Sequence, residues 1–321
     1  MIGECKVSAT GVLCTRVRVE EKQIIAALAA LAALAALGDA GMTAMPVPPA
    51  GTPLPPGPAS RPFATLGGAE NAAGNDVLDR ALTSIIDRCQ NRALAAATLP
   101  LYRALGIDTL DAGLAATGTR LQVATALAEA GIPRPACLAA FSEETGLAAA
   151  DRLGFPSTLL SLTPGGAAID LHDRDTADAV IEHRVVLGGD REAIFLLQAG
   201  APAAKERTIV HVIDGRAIAI DGPDVEIEGL ALAETSAHVL GAALAAITIV
   251  NAGADLIVWD VQPVGDFRSA RLTGETTVPV AIAALVTARA RGAANGTAPA
   301  PEDRGRRDWK AMVPHGLAVT A

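Results

Sequence analysis

Aromatic side chains are almost missing: they make up 2% of 321 residues, although hydrophobic residues make up 50%. Alanine and leucine supply the bulk, which predicts a helix-rich core closed by small contacts. Cysteine is scarce too, with Cys5, Cys14, Cys89 and Cys137 forming no CxxC pair and no metal-site spacing. That excludes a disulfide framework and a structural zinc site, and it fits buried thiols in a reducing cytosol. There is no long apolar run. The Ala/Leu stretch from Ile24 to Leu37 follows Glu20, Glu21 and Lys22 and falls short of the roughly 20 residues a membrane span needs. It reads as a buried first helix ended by Gly38, not as a secretion signal or an anchor. Positive charge is also in deficit: 26 Lys and Arg stand against 35 Asp and Glu, giving a net charge of −9 and a pI of about 5.1. Such a surface argues against nucleic acid as the main partner, since phosphate binding needs a cationic face.

What is present is an alternation of elements. Residues 11–18 read as a strand running into a helix near Val19, an α/β opening. Seven prolines between Met45 and Pro62 mark a linker or loop with no core of its own. Leu78, Leu82, Ile85 and Ile86 fit a helix over residues 75–105, and a short strand is expected at 107–110. Further helices are expected at 119–130, 143–153, 176–186, 231–246 and 278–290. Gly131-Ile132-Pro133 stops the first of these. Strands are expected at 155–162, 168–171, 193–198, 208–213, 216–220 and 255–262. Asp214-Gly215 is a favoured hairpin turn, and Thr163-Pro164-Gly165-Gly166 is a second turn. A Gly/Ala/Pro linker from Arg291 leads to a basic tail with Arg304, Arg306, Arg307 and Lys310 near Trp309.

Several blocks occur in a telling order. They are Arg16-Val17-Arg18-Val19-Glu20-Glu21-Lys22, Asp87-Arg88-Cys89-Gln90-Asn91-Arg92, Ala104-Leu105-Gly106-Ile107, Ala130-Gly131-Ile132-Pro133, Leu153-Gly154-Phe155-Pro156, Asp173-Arg174-Asp175, residues 181–189, Asp260-Val261-Gln262 and Asp266-Phe267-Arg268. In sequence and spacing this series resembles the ATP-grasp carboxylate–amine ligases of the RimK/LysX type, over roughly residues 12–290. The resemblance implies an α+β fold: an ATP-grasp architecture with a Rossmann-like N-terminal subdomain. It implies residues 1–117 for the N-terminal subdomain (46–62 being the Pro-rich loop), 118–190 for the small ATP-grasp subdomain, 191–290 for the C-terminal one, and 291–321 for linker and tail. In that family ATP phosphorylates a carboxylate and an amine attacks the acyl phosphate. Cationic side chains and a Gly-rich loop hold the phosphates, and hard oxygen ligands hold two Mg²⁺ ions.

By the same resemblance, Arg120, Gln198 and Arg268 are the candidate nucleotide-binding residues, and Asp260 with Gln262 the candidate metal ligands. Many family positions carry the wrong chemistry. A lysine position falls on Leu160, the loop arginine near Ala168, the hinge glutamate on Ala199, the "DxR" pair on Arg207 and Ile209, and the first metal aspartate near Thr248. Gln262 stands where the family has Asn and is a weak neutral ligand for Mg²⁺. Taken on their own, the residues allow blander readings. Thr163–Gly166 is a plain turn or a backbone phosphate cradle. Asp260 and Gln262 share one strand face as a structural pair or a remnant ligand site. Asp266 and Arg268 pair with each other or clamp an anion. His183 packs or caps, and His172, His211, His238 and His315 share no metal spacing.

The sequence thus points to a cytoplasmic RimK/LysX-like homologue whose ATP and Mg contacts are weak or lost, acting as a binding or regulatory pseudo-ligase, with no membrane and no nucleic acid. Two alternatives stay open. One is a divergent active ligase that adds an amino acid such as glutamate to a small carboxylate, or to a pterin-type cofactor of one-carbon metabolism. The other is a structural subunit, in a homo-oligomer or against a protein partner.

Overall fold

The computed structural model describes residues 8–35, 42–47, 82–188, 194–253 and 255–294. The chain opens with β1 (Ser8–Leu13), α1 (Val19–Ala35), β2 (Met42–Val47), β3 (Leu82–Asp87), α2 (Arg92–Ala104) and β4 (Asp108–Leu110). The four strands form a parallel sheet in the order β2-β1-β3-β4. That is the Rossmann-like opening that strand–helix alternation predicts. Met45, Pro46 and Val47 lie in β2 and not in the Pro-rich loop expected from residue 46; the proline is tolerated because β2 is an edge strand. The helix expected over 75–105 is also corrected: β3 occupies 82–87, and the helix begins only at Arg92. Residues 84–87 are all buried, as parallel-sheet strands covered on both faces are, and such a continuous run gives no period to read. Residues 75–81, 48–62, Gly38 and 295–321 lie outside the described residues.

A second block follows: α3 (Leu114–Thr117), α4 (Arg120–Glu129), β5 (Cys137–Ala140), α5 (Glu143–Leu153), β6 (Ser157–Leu160), β7 (Ala168–Leu171), α6 (Arg174–Gly188) and β8 (Phe195–Ala199). Its antiparallel sheet has the order β5-β8-β6-β7, so it takes a strand from beyond residue 190. The helices α5 and α6 pack together, with Arg174 of one paired to Asp151 of the other. Leu159, Ile181 and Phe195 are fully buried in this block's own core. Within residues 181–186, Ile181 is buried and Val185 packs against the same core, while Glu182 and His183 are exposed. The helix stop at Gly131 is explained by its positive φ of 69°, with the Gly131 N–H donating to Ala128 O and the Ile132 N–H to Leu127 O.

The third sheet is antiparallel. It comprises β9 (Arg207–Ile213), β10 (Arg216–Asp221), β11 (Leu244–Ala252), β12 (Asp255–Gln262) and β13 (Arg271–Leu272), in the order β12-β11-β9-β10-β13. The helix α7 (Ile227–Val239) lies before β11, and α8 (Val278–Ala294) ends the described chain. The helix expected over 231–246 stops at Val239. Gly241 at φ 65° donates to His238 O and Ala242 to Ala237 O, and residues 244–252 become β11. The alanines at the start of β11 mask the strand signal carried by Ile247, Thr248, Ile249 and Val250. The first and third sheets share one core in which Leu13, Ile85, Leu99, Val210, Ile247 and Val258 are buried together. Among the described residues, no helix is long and apolar enough to cross a membrane.

Buried arginines join the sheets. Arg92 places both terminal nitrogens on Asp87 (2.8 and 3.1 Å) and reaches the carbonyls of Cys89 and Ala116. Arg88 donates to Glu21 (3.3 Å) and to Gly265 O (2.9 Å) and lies 5.2 Å above the Phe267 ring. His211 meets Phe267 edge-on. Burial, reinforced by the Arg88 charge, lowers the His211 pKa from 6.5 to about 4. Its folded value lies below its unfolded value, so the neutral ring's contribution is complete above pH 6.5 and is lost as pH falls toward about 4. Urea denaturation at pH 7 and pH 4.5 is expected to show a smaller acid loss in His211→Gln than in the wild type. Each tenfold change in proton affinity corresponds to about 1.4 kcal/mol, so the difference is at most a few kcal/mol.

Candidate functional site

The third sheet lines up the residues that the sequence marks for metal and phosphate chemistry. In the ladders, Thr248 on β11 stands opposite Ile209 on β9 and opposite Asp260 on β12. Directly opposed residues share a sheet face, so Ile209, Thr248 and Asp260 form one row, and Gln262 follows two places along β12 on the same face. Only one member of that row, Asp260, carries a charge.

Asp260 is held by Arg120. The local sequence explains why Arg120 is so well placed. Thr119 caps α4, its hydroxyl accepting from Gln122 N (3.2 Å) while the Gln122 side chain accepts from Thr119 N (2.8 Å). Arg120 is therefore the first helical residue, and its own N–H donates to Leu162 O (2.6 Å). Its guanidinium donates from Nε to Asp260 Oδ1 (3.1 Å) and from Nη2 to Oδ2 (2.8 Å), a bidentate pair. Nη1 also donates to Ser161 O (2.9 Å) and Nη2 to Gly166 O (3.1 Å). The Arg120 side chain is 5% exposed and that of Asp260 16%, so solvent screens the pair only weakly.

The turn after β6 is arranged around that cation. It presents the carbonyls of Ser161 and Gly166 to Arg120, and the Gly166 N–H is bonded to Thr163 O (2.9 Å). An anion cradle needs the opposite polarity, with amides converging. Gly165, at φ 73°, packs toward Pro263 just past β12; a Cβ there would lie 3.4 Å from the proline ring. Leu160 is buried in the small sheet, and Ala168 begins β7.

Gln198 lies on β8, 2% exposed. Its amide nitrogen donates to Trp259 O (3.1 Å) and its amide oxygen accepts from the Cys137 thiol (3.4 Å), so it bridges the small sheet to the residue before Asp260. Burial raises the Cys137 pKa against the lowering effect of Arg134. Arg207 lies over the Trp259 ring, 5.8 Å from its centre. Arg120, Asp260 and Gln198 are therefore brought together. Arg268 is not: over half exposed, it pairs with Asp266 and with Glu20, so Asp266 and Arg268 do bind each other. In the sequence Glu20 is an acid ahead of an apolar run, inside a block that resembles the family, with no partner marked. Its tie to residues 266–268 is a tertiary contact that no local pattern announces.

For Mg-ATP the test is the donor set. Asp260 is the one carboxylate in its row and is taken up bidentately by Arg120, beside neutral Thr248 and Gln262. Among the described residues no group of three or more His, Cys, Asp or Glu is placed to hold a metal ion. The described lysines, Lys22 on α1 and Lys205 just before β9, stand at none of the family's phosphate positions. These residues do not fit a two-metal nucleotide site.

No protein-family model matches the chain. Among solved structures, it is similar to a RimK-domain ATP-grasp protein from Sphaerobacter thermophilus, with 29% identity and a TM-score of 0.65 over 86% of this chain and 98% of that one. The macrocyclase MdnC from Microcystis aeruginosa, bound with its precursor peptide, matches at 14% identity and a TM-score of 0.58, covering 88% and 99%. D-alanine–D-alanine ligase from Bacillus anthracis, complexed with ATP, matches at 15% and 0.52, covering 79% and 85%. The last two share the fold. With three sheets arranged as described and nearly the whole of a RimK-domain protein spanned, the chain has the ATP-grasp fold and is similar along most of its length to a RimK-like member of it.

Proposed function

We propose that this chain is a RimK-like ATP-grasp protein that has given up Mg-ATP-driven ligation and works as a binding or regulatory protein. The observation that carries the reading is the Arg120–Asp260 pair, in which the candidate phosphate-binding cation and the candidate metal-binding carboxylate neutralise each other. Phosphoryl transfer depends on preorganised charge aimed at the phosphates. Here the retained charges point at one another, and the turn that would cover phosphates turns its carbonyls toward Arg120. Leu160, Ala168, Ile209 and Thr248 supply no charge at four further family positions. What the fold retains is a small sheet joined to a large one through Arg120 with Asp260 and Gln198 with Trp259. A peptide or protein partner suits that framework, as MdnC is bound with a precursor peptide.

One observation favours the other reading, an active amino-acid ligase. Asp260 is 16% exposed and shares its strand face with Gln262, so a swing of Arg120 would free one carboxylate beside one amide.

Calorimetry with ATP, with and without Mg²⁺, decides between them. No magnesium-dependent binding is expected at millimolar ATP. Micromolar, magnesium-dependent binding that disappears in Asp260→Ala would sink the pseudo-ligase reading. ADP release on adding glutamate with a carboxylate acceptor would establish the ligase.

The same pair makes a stability prediction. Asp260→Ala leaves the Arg120 charge buried without its partner and is expected to cost about 3 kcal/mol in chemical denaturation. Arg120→Met with Asp260→Leu removes both charges and is expected to recover most of that loss.

A further inference from the structure

Outside the cleft, one buried carboxylate lacks what buried carboxylates normally have. Glu20 lies in the first turn of α1 and is 1% exposed, and its carboxyl lies within reach of the Asp266 carboxyl, yet among the described residues no N–H donates to either of its oxygens. A buried charge without hydrogen bonds is among the costliest features a fold can carry. Its neighbour Glu21 shows the contrast: it accepts from Arg18 N (2.8 Å) and from Arg88 Nε (3.3 Å). The cation paired with Glu20 is Arg268, whose Nε lies 3.4 Å from Oε1 without hydrogen-bond geometry, and Arg88 acts on Glu20 through its charge alone. Arg268 directs its donors elsewhere: Nε reaches both Asp266 oxygens at 3.0 Å, Nη2 also bonds Asp266, and its backbone N–H donates to Asp266 Oδ1 at 3.0 Å. Two carboxylates, one buried and one 44% exposed, thus share a guanidinium that is itself 57% exposed. The arrangement sits between the start of α1 and the segment following β12, which Arg88 anchors through Gly265 O.

We propose that Glu20 and Asp266 form a seat for a primary ammonium group of a ligand or of a partner's chain, with Arg268 as its resident, displaceable cap. A primary ammonium carries three donors in a compact tetrahedral head. It can bond both carboxylates at once, whereas the planar guanidinium, engaged on Asp266, gives Glu20 none. The entering ammonium brings the hydrogen bonds that Glu20 lacks. Arg268, lying at the surface, swings into water at small cost. The seat does not rest on the reading of the ATP cleft: a ligase or a pseudo-ligase can equally carry it.

Uncapping tests it. Methylammonium chloride is titrated into the full chain as wild type, Arg268→Ala and Arg268→Ala/Asp266→Asn, followed by NMR shifts and by thermal melting. Tetramethylammonium chloride, which has no N–H donor, serves as the matched-salt control. Arg268→Ala is expected to bind methylammonium at least tenfold more tightly than the wild type and to melt higher as its concentration rises. The added Asp266→Asn change is expected to reverse at least tenfold of that gain. Equal responses to the two ammonium salts, or no gain in Arg268→Ala, would leave a plain ion pair and overturn the proposal. Asp266 lies on the exposed side, so its variant keeps the test clear of folding failure; Glu20→Gln, if it folds, is expected to lose the binding as well.

Discussion

The Arg120–Asp260 pair is the constraint on which the junction of the small and large sheets depends. It links three elements distant in sequence: the start of α4, the turn between β6 and β7, and β12. The guanidinium is satisfied by two carboxylate oxygens and two carbonyls, which allows a charge at 5% exposure to persist. Because the carbonyls of residues 161 and 166 are drawn inward, the turn has a fixed polarity. It is built to hold a cation that belongs to the protein itself, and that polarity opposes the one a phosphate requires. The polarity of this junction is therefore set by the pairing of Arg120 with Asp260, beside uncharged Leu160, Ala168 and Thr248.

A second ionic junction has a different character. Asp87 with Arg92, and Glu21 with Arg88, are buried pairs backed by carbonyls and by the Phe267 ring. They fix the end of β3 and the start of α1 against residues 265–267. Glu20 and Arg268 sit at the edge of the same junction but are imperfectly matched. The first type reads as framework and the second as a place where something can be exchanged. Resemblance to the ligases runs through all of these residues alike, and only their partners separate them.

Much of the fold is legible in the sequence because the signals are local. The helix over 120–129 has a Thr cap, a Gln three places on and a Gly-Ile stop. The turns at 163–166 and 214–215 carry glycine at positive φ, and β12 has a clear strand composition. The elements that differ from expectation share one cause. Residues 82–87 and 244–252 are strands largely buried on both faces, where alternation vanishes, and alanine at the start of β11 extends the apparent helix. A chain so poor in aromatic residues and so rich in alanine weakens the usual strand markers throughout.

The sequence by itself determined the family pattern, the acidic balance and the positions at which charge is absent, since these follow from residue identity and spacing. It also marked Arg120, Gln198, Arg268, Asp260 and Gln262 as residues to watch. Tertiary structure alone decided that Arg120 and Asp260 neutralise each other, that Gln198 is consumed in joining two sheets, and that Arg268 belongs with Glu20 and Asp266. A charge in a sequence has no partner until the chain closes, and what it can do depends on the partner it finds.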